Sequence, residues 1–363
     1  MTAPAMPKGR GSHQYLPGRF ESTTTEAVDD GWAAPEADTE SGPDPRRPPT
    51  RVEEETARSV ISRNSSPDVG FSLSLNPYRG CEHGCSYCFA RPSHAYLNLS
   101  PGLDFETRIF AKTNAPEVLR RELAARGYRA QPIALGINTD AYQPAERRLQ
   151  LTRRILEVLL ECRHPVSLIT KNALIERDLD LLQALAQQSL VHVHFSVTTL
   201  DAHLSARLEP RAAAPHARLR AMSRLPQAGV PVGVMFAPVI PWVNEHELEA
   251  VLEAAREAGA GNAGYVLLRL PHEVAPLFRD WLQAHFPQRA AHVMSAVQQM
   301  RGGRDYQAAF GERMRGQGPH AQLLARRFAL ACKRLGYGPR HWPGLDCSRF
   351  VPPRAPSAQG ELF

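Results

Sequence analysis

Three of the six cysteines lie close together in one short stretch, at Cys81, Cys85 and Cys88. Their spacing is C-x3-C-x2-C, and Gly80 and Gly84 let the backbone fold closely around the sulfurs. Three thiolates in one loop can bind three corners of an iron–sulfur cubane, which normally takes four cysteines. The missing fourth cysteine leaves one iron open to a non-protein ligand. An open metal position is a reaction site, by the same logic that applies to catalytic zinc.

A structural zinc site is the alternative interpretation of the same cysteines. It requires a fourth ligand, for which His83, His94 and Cys162 are the candidates. A C-x2-C pair is common in zinc sites, but a second pair usually follows further along the chain. No second pair is present in this sequence. The spacing and the ligand count therefore favour the iron–sulfur cluster.

Composition sets the class of protein and its expected compartment. The chain has 363 residues, of which 43% are hydrophobic, as is ordinary for a soluble globular protein. No apolar run reaches the roughly 18 residues of a membrane span, and the first residues contain no apolar signal-peptide core. The cysteines do not form a disulfide framework, so we expect a cytoplasmic protein without a membrane partner.

The charge is unevenly distributed along the chain. The formal net charge is +6, but residues 1–60 carry eleven acidic and seven basic side chains, so that the remainder carries +10. This excess permits a polyanionic partner such as nucleic acid without requiring one. A solvated basic surface is the alternative.

Short apolar runs alternate with amphipathic helical stretches between about residues 71 and 270. This alternation predicts an α/β fold with a parallel sheet and crossover helices. Six such units without a dinucleotide fingerprint suit a partial (β/α)6 barrel. The predicted strands are Phe71–Leu75, Pro132–Ile137, Pro165–Thr170, Val191–Val197, Val230–Phe236 and Gly264–Leu270. The predicted helices are Glu117–Arg126, Arg147–Cys162, Leu179–Gln187, Arg218–Ala228, Glu245–Ala258, Ala275–His285, Val293–Arg301 and Gln322–Arg334.

The remaining segments divide the chain into regions. Residues 1–60 are rich in Pro, Gly, Ser and acidic residues and are predicted to form a disordered N-terminal arm. Within this arm, Lys8–Gly11 is either an anchor or a solvated tail, and Val52–Ile61 has a weak helical pattern. Residues 61–285 form the predicted barrel, residues 286–350 a basic helical extension, and residues 351–363 a flexible tail.

Polar residues follow the predicted strands, where the chemistry of β/α barrels is located. Asn138 follows the second strand in a segment dense in hydrogen-bonding groups, as a polar cofactor requires; an Asx turn that caps the next helix is the alternative. Lys171 follows the third strand as one of only four lysines, and is either a point charge for a carboxylate or a surface lysine. Ser196 lies at the end of the fourth strand. Glu209 and Arg211 form either a ligand clamp or a surface ion pair.

The cysteine motif, with an aromatic residue before its third cysteine, resembles the radical S-adenosylmethionine (radical SAM) superfamily. The run from Asn64 to about Gly318 further resembles an uncharacterised radical SAM family that is related to spore photoproduct lyase. The matching motifs are SPD at 66–68, NPYRGCEHGCSYCFARPSHAY at 76–96, SPGLDFET at 100–107, NTDxYQP at 138–144, SVTTLD at 196–201, LEPRA at 208–212, APVIP at 237–241 and LLRLP at 267–271.

This resemblance implies a cytosolic enzyme with a [4Fe-4S] cluster on the three cysteines and S-adenosylmethionine (SAM) on the open iron. It implies reductive cleavage of SAM to methionine and a 5′-deoxyadenosyl radical, with a flavodoxin-like or ferredoxin-like electron donor. By position, Tyr87 is expected to contact the adenine through its backbone. The other SAM contacts expected by position are Asn138, Lys171, Ser196 and Arg211.

One departure from the lyase bears on the substrate. In spore photoproduct lyase, a cysteine near the end of the second strand donates hydrogen to the substrate radical, whereas residues 135–140 here contain no thiol. Cys332 and Cys347 are candidates to replace it, or are buried structural cysteines. Kinship and charge favour a nucleic acid or a nucleotide as substrate. A protein or small-molecule substrate, or a non-catalytic iron–sulfur or zinc scaffold, are the alternatives.

Two C-terminal features suggest partners. The loop from Gly311 to Gly318 carries Arg313 and Arg315 beside glycines, and either presents donors to phosphate or covers the open barrel. The final residues Gln359–Phe363 resemble the short peptide by which bacterial DNA proteins bind the replication sliding clamp. A peptide-in-groove contact with two apolar anchors is therefore expected there.

Overall fold

The computed structural model describes residues 9–12, 15–21, 48–338 and 342–353. The strands in these residues are β1 Arg51–Glu55, β2 Ile61–Arg63, β3 Leu73–Leu75, β4 Tyr78–Arg79, β5 Arg108–Lys112, β6 Ile133–Leu135, β7 Val166–Thr170, β8 Val191–Ser196, β9 Val232–Val239 and β10 Asn262–Leu267. The α-helices are α1 Asp104–Thr107, α2 Ala115–Leu123, α3 Glu146–Leu149, α4 Leu151–Glu161, α5 Leu179–Ala186, α6 Ala202–Leu208, α7 Pro215–Gln227, α8 Leu248–Glu257, α9 Val274–His285, α10 Ala290–Gln299 and α11 Gly318–Leu335. The 3-10 helices are Arg91–Leu97, Ala173–Asp178 and Glu245–Glu247.

The main sheet has seven strands in the order β10-β9-β8-β7-β6-β3-β2. Six of them, β3 and β6 to β10, are parallel and lie side by side in chain order, and β2 pairs antiparallel with β3 at the edge. One or more helices connect each of the six strands to the next. All six predicted strands are confirmed, and with them the partial (β/α)6 barrel.

The two faces of this sheet differ in chemistry. On one face, a register row of apolar side chains packs into the main core with residues of α4, α5, α7 and α8. This row is Leu75, Leu135, Leu168 and Val193. On the other face, the adjacent rows are mostly small or polar. They include Ser74, Ala134, Ser167, His192, His194 and Gly233.

Three local predictions are wrong. The helical pattern predicted at Val52–Ile61 is replaced by β1 and the start of β2, because β1 pairs in parallel with β5 and Val52 packs on a small core. The single helix predicted at Arg147–Cys162 breaks at Gln150, which has a φ of 51°. Asn244 is also expected to cap the predicted helix Glu245–Ala258 with its side chain. It does lie directly before the helix, but its buried side chain makes no capping bond and instead binds three backbone groups of neighbouring loops.

The N-terminal edge of the sheet is covered by residues 342–353. The Trp342 ring lies 4.0 Å from the ring of His192 and 4.7 Å from that of His194, measured between centroids. The backbone N–H of Val351 donates to the carbonyl of Cys162 at 2.9 Å. The packed chain therefore extends into the region predicted as the tail, at least to Val351.

None of the helices in the described residues combines the length and the apolar character needed to cross a bilayer.

Candidate cofactor site

The cysteine loop, residues 80–90, follows β3 and the short strand β4 and precedes the 3-10 helix Arg91–Leu97. Because it follows β3, it lies at the C-terminal edge of the sheet. Cys81 and Cys85 are buried, Cys88 is half-buried, and all three are free thiols. Gly80 and Gly84 have φ values of 77° and 65°, a conformation that side-chain-bearing residues rarely adopt.

A buried ion pair fixes the loop from behind. The guanidinium of Arg91 donates to the carbonyl of Cys85 at 2.9 Å and pairs with the carboxylate of Glu106. Both Arg91 and Glu106 are fully buried. The N–H of Cys81 donates to the carbonyl of Phe105, next to Glu106 in sequence, at 2.8 Å. The segment 105–106 is thus bound to the cysteine loop through both its backbone and its side chains.

The loop after β6 is joined to the cysteine loop from the front. The buried amide of Gln143 accepts from the N–H of Glu82 at 2.9 Å and donates to the carbonyl of Gly80 at 3.2 Å. The Oδ1 of Asn76 accepts from the N–H of Asn138 at 2.8 Å. These contacts join the loop after β6 to the segment that follows β3. The polar side chains of the NTDxYQP motif therefore help to hold the cysteine loop in place.

Asp140 connects three strand ends at once. Its carboxylate accepts from the hydroxyl of Thr170 at 2.8 Å and from the backbone N–H of Lys171 at 2.7 Å. The Nδ1 of His83, in the cysteine loop, lies 3.4 Å away. Burial opposes ionisation, but His83 and the two donors outweigh it and hold the pKa of Asp140 below its usual range. Asp140 also accepts from the N–H of Tyr142, so the Asx turn weighed from the sequence is present as well.

A second buried network lies under Tyr87. The Tyr87 hydroxyl donates to the carboxylate of Glu209, which also accepts from the hydroxyl of Thr198 at 2.6 Å and pairs with Arg218. Glu209 and Arg218 are each 1% exposed. Burial alone would raise the pKa of Glu209, but Arg218 and Lys171 bring the net shift below the usual value. Glu209 is therefore an internal anion that fixes Tyr87.

Lys171 and Tyr87, two of the predicted SAM contacts, lie together. The Lys171 ammonium is 6.0 Å from the centroid of the Tyr87 ring. Burial lowers the pKa of Lys171, but the neighbouring Cys85 and Glu209 raise it, and the net shift is upward. Burial raises the pKa of the Cys85 thiol to about 12 against the opposing charge of Lys171. The lysine is thus a fixed positive charge close to the predicted cluster.

The other three predicted contacts surround the same edge. Asn138 is exposed at the end of β6. Ser196 is buried at the end of β8, and its hydroxyl donates to the carbonyl of Ala237 at 3.2 Å. Arg211 pairs with Glu82 of the cysteine loop at 2.9 Å, so it lies in an ion pair beside the predicted ligands. The direct contact of each with SAM stays a prediction.

The loop 301–318, here called the barrel bridge, spans the open side of the barrel. The carbonyl of Met314 accepts from the N–H of Leu267 on the edge strand β10 at 3.0 Å. Asp68, in the connection between β2 and β3 at the opposite edge, accepts from the N–H of Gly311 at 2.6 Å and pairs with Arg313. The bridge therefore links the two outermost sides of the sheet, at β10 and at the connection between β2 and β3. This agrees with the interpretation of the loop as a cover over the open barrel.

Two arginines lie over aromatic rings, one pair within this bridge and one pair outside it. Arg269 lies 4.9 Å from the centroid of Phe89, and Arg313 lies 4.8 Å from that of Phe310. Phe89 and Phe310 are 39% and 60% exposed. Phe89 directly follows Cys88, so the exposed rings begin beside the cysteine loop. These four residues are called the arginine–aromatic patch below. The exposed Arg315 lies over a different ring, 4.3 Å from the centroid of Tyr265.

No substitute for the missing thiol lies at this edge in the part of the chain that is described. Cys332 is near the end of α11, and the N–H of Gly338 in the turn that follows donates to the carbonyl of Gly261, just before β10 begins. Cys347 follows Asp346, whose N–H donates to the carbonyl of Ser189, just before β8 begins. Both cysteines therefore belong to the N-terminal edge, at the opposite end of the strands.

The donor set fits an iron–sulfur cluster better than zinc. The three candidate fourth zinc ligands have other partners or lie far away. The ring nitrogens of His83 lie 3.4 Å from the carboxylate of Asp140 and 3.3 Å from the side-chain amide of Asn172, and the His94 ring bonds to the carbonyl of Arg108. Cys162 lies at the N-terminal edge, where its carbonyl accepts from the N–H of Val351. Among the described residues, no three His, Cys, Asp or Glu side chains converge on one ion. In a cubane, each cysteine binds a different iron, so convergence on one point is not required. The Ser86 hydroxyl, beside Cys85, is buried without a partner in the described chain, as a ligand-binding edge would leave it.

Residues 75–255 match the family model of the radical SAM superfamily. An uncharacterised protein of Mycobacterium tuberculosis (strain ATCC 25618 / H37Rv) is 39% identical over 220 residues, which make up 60% of this chain and 65% of that protein. An uncharacterised protein of Methanocaldococcus jannaschii is 27% identical over 185 residues, covering 51% of this chain and 66% of that protein. The match thus spans about two thirds of the length of these relatives.

Solved structures share the fold at low sequence identity. A cysteine-to-serine mutant of spore photoproduct lyase has a TM-score of 0.56 at 13% identity, covering 81% of this chain and 80% of that one. Spore photoproduct lyase complexed with dinucleoside spore photoproduct gives a TM-score of 0.56 at 14% identity and the same coverage. The match to the family model identifies residues 75–255 as a radical SAM domain, and the solved structures show that the chain shares the fold of spore photoproduct lyase.

Proposed function

We propose that this protein is a radical SAM enzyme whose [4Fe-4S] cluster is bound by Cys81, Cys85 and Cys88. One observation carries the proposal: the three free thiols lie at the C-terminal edge of a parallel β/α sheet, beside the fixed charge of Lys171. When bound, the cluster and SAM supply reductive cleavage to methionine and a hydrogen-abstracting 5′-deoxyadenosyl radical. A protein electron donor of the flavodoxin or ferredoxin class is part of the proposal.

The chain's own residues orient SAM and exclude water. Lys171 provides a positive charge for the SAM carboxylate, and Asn138 and Ser196 provide hydrogen-bonding groups on either side, at the ends of β6 and β8. Tyr87 is held by Glu209, so its backbone has a fixed position toward the adenine. In radical enzymes the cofactor carries the difficult chemistry, while the protein contributes binding and orientation.

The first experiment tests SAM cleavage. The protein is purified without oxygen, loaded with iron and sulfide, reduced and mixed with SAM, and 5′-deoxyadenosine is measured by mass spectrometry. We expect product from the wild type and from Cys332→Ala, a thiol at the opposite edge of the sheet, and none from Cys85→Ala. Iron and sulfide content unchanged in Cys85→Ala would disprove the ligand assignment. A fully loaded wild type that neither binds nor cleaves SAM would support the non-catalytic scaffold.

A second experiment tests the SAM contact. Lys171→Ala should weaken SAM binding while iron content stays at the wild-type value, because Lys171 contributes charge and no metal ligand. Lys333→Ala removes an exposed lysine on α11 and is the matched control. Equal SAM affinity in both variants would remove Lys171 from the site.

We infer further that the substrate is a nucleic acid or a nucleotide. The arginine–aromatic patch supports this, because bases stack on aromatic side chains and arginines bind phosphate. A solved structure with this fold holds a dinucleoside spore photoproduct. The missing thiol argues that the reaction differs from thymine-dimer reversal, since a different hydrogen donor would be needed.

Salt dependence separates this substrate class from the others. Binding of a fluorescent single-stranded oligonucleotide is measured over a range of salt concentrations. Arg315→Gln should flatten the slope of log K against log salt by about one, since one phosphate contact is lost. Arg120→Gln, on the far helix α2, should leave it unchanged. Wild-type binding that does not vary with salt would favour a protein or small-molecule substrate.

The proposed sliding-clamp peptide, Gln359–Phe363, lies outside the described residues and stays a prediction. Deleting it should abolish clamp binding and leave SAM cleavage intact. A full-length protein that never bound the clamp would end that proposal.

A further inference from the structure

Residues 9–12, here called the N-terminal lock, lie against the cysteine loop although about seventy residues separate the two in sequence. Arg10 is only 4% exposed. Its guanidinium donates to the carbonyl of Glu106 at 2.9 Å, to the carbonyl of Pro48 at 2.6 Å and to the hydroxyl of Thr50 at 3.0 Å. A charged side chain is rarely buried this deeply unless its donors are satisfied, so the lock is a specific contact.

Gly11 approaches the cysteine loop so closely that a side chain does not fit. A Cβ atom at Gly11 would lie 1.6 Å from the carbonyl oxygen of Gly84 and 3.3 Å from the nitrogen of Ser86. Its N–H donates to the Oε2 of Glu106 at 2.9 Å. The requirement for glycine at this position is therefore one of space.

Gly84 makes the reciprocal contact from the loop. A Cβ atom there would lie 2.6 Å from the Oε2 of Glu106 and 3.3 Å from the nitrogen of Gly11. The other carboxylate oxygen of Glu106 pairs with Arg91, which donates to the carbonyl of Cys85. A continuous chain of buried contacts therefore runs from the lock to the residue predicted as the second cluster ligand.

We propose that the N-terminal lock positions the cysteine loop for cluster binding and shields its backbone from water. This inference rests on the proposed function only in taking Cys81, Cys85 and Cys88 as the ligands. A loop whose two glycines have positive φ loses much conformational entropy when it becomes ordered. A segment that binds only the ordered loop offsets that loss, as any ligand specific for a folded state does.

The test uses Gly11→Ala with Gly70→Ala as the matched control. Gly70 has no heavy atom within 4 Å of an added Cβ, so the same substitution is harmless there. In the metal-free protein, alkylation of Cys81, Cys85 and Cys88 by iodoacetamide is followed by mass spectrometry. We expect about tenfold faster alkylation of these three thiols in Gly11→Ala, since displacing the lock opens the loop locally. The rate at Cys162 serves as an internal reference and should not change.

A deletion of residues 1–12 covers the case in which Gly11→Ala misfolds. It removes the lock without introducing a clash, and should give the same fast alkylation. A peptide of residues 1–21 added in excess should slow the reaction again, which general destabilisation would not allow. In the loaded protein, both variants should shift the midpoint potential of the cluster, because solvent exposure tunes that potential.

Equal alkylation rates in wild type and in the deletion variant would overturn the lock. Faster alkylation without rescue by the peptide would also overturn it, because the effect would then be one of general stability. The alkylation assay requires neither cluster nor SAM. The lock can therefore fail while SAM cleavage is observed, and SAM cleavage can fail while the lock is confirmed.

Discussion

The two ends of the parallel strands are built from different chemistry. At the C-terminal edge, the cysteine loop is surrounded by buried charges, with Glu106 paired to Arg91 and Glu209 paired to Arg218. At the N-terminal edge, residues 342–353 cover the sheet with aromatic and histidine contacts, such as Trp342 against the imidazole rings of β8.

The two edges meet different structural needs. At the C-terminal edge irregular loops must be held in place, whereas at the N-terminal edge the core must only be covered. The loops at the C-terminal edge have few ladder hydrogen bonds, so charged side chains satisfy their backbone groups: Arg91 alone donates to the carbonyls of Cys85, Pro101 and Gly102. A buried ion pair is costly to desolvate but is strongly directional once formed. The N-terminal edge requires only coverage, which neutral rings provide.

The largest effect is expected from breaking the ion pair behind the cysteine loop. Glu106→Ala leaves the guanidinium of Arg91 buried without its countercharge, and such losses cost about 3–5 kcal/mol. Urea unfolding of the metal-free protein measures the change. Glu53→Ala is the matched control, because its pair with Arg108 is 2.9 Å long but 43% and 37% exposed. That variant should lose less than about 1 kcal/mol. Similar losses in the two variants would contradict the distinction between buried and exposed pairs.

The sequence predicted the framework of this site and left out its supports. The hydrophobic periods of strands and helices were sufficient to predict the barrel, and the spacing of the cysteines was sufficient to predict the cluster-binding loop. From its sequence neighbours, Glu209 is expected to form a ligand clamp or a surface ion pair with Arg211. In the structure it is buried beneath Tyr87 and pairs with Arg218 instead. Contacts between residues that are distant in sequence leave no repeating pattern in the local sequence. A single sequence therefore cannot reveal them.

The contacts of residues 9–12 in the N-terminal arm could not be predicted for a related reason. The arm has the composition of a solvated tail, and the local sequence leaves Lys8–Gly11 as either an anchor or part of that tail. The contact of Gly11 with Gly84 depends on two chain segments meeting in space. Strand β1 also depends on a distant segment. Its glutamate-rich sequence has a weak helical pattern, but it forms a strand because it pairs with β5. Tertiary context overrides weak local propensity in both cases.

An intermediate effect is expected from acid at the N-terminal edge. His164 is fully buried between the carbonyl of Pro165 and the hydroxyl of Tyr128, and burial lowers the pKa of His164 to about 4. The unfolded state therefore binds more protons between about pH 6.5 and pH 4. The stability that depends on neutral His164 is present above pH 6.5 and falls by up to about 3 kcal/mol as pH decreases toward 4.

The comparison of melting temperatures at pH 7.5 and pH 5.0 tests this. His164→Gln, which stays neutral, should lose less stability on acidification than the wild type. His203→Gln, at an exposed position, should behave as the wild type does. An acid response identical in all three proteins would remove His164 from the group that titrates on unfolding.

The smallest effect on global stability is expected at the barrel bridge, which lies at the charged edge but is held by few contacts. The N–H of Gly311 and the guanidinium of Arg313 lower the pKa of Asp68, so the contact is present at neutral pH and is lost as pH falls through that lowered value. Asp68→Asn removes the charge, and trypsin should then cut faster after Arg304 while the urea midpoint barely changes. Asp180→Asn removes an exposed carboxylate on α5 and should leave that cleavage rate unchanged. A cleavage rate in Asp68→Asn equal to that of the control would mean that the other contacts of the bridge hold it without Asp68. These contacts include Arg301 with the carbonyl of Glu312, Leu267 with Met314, and Arg313 with Ser66.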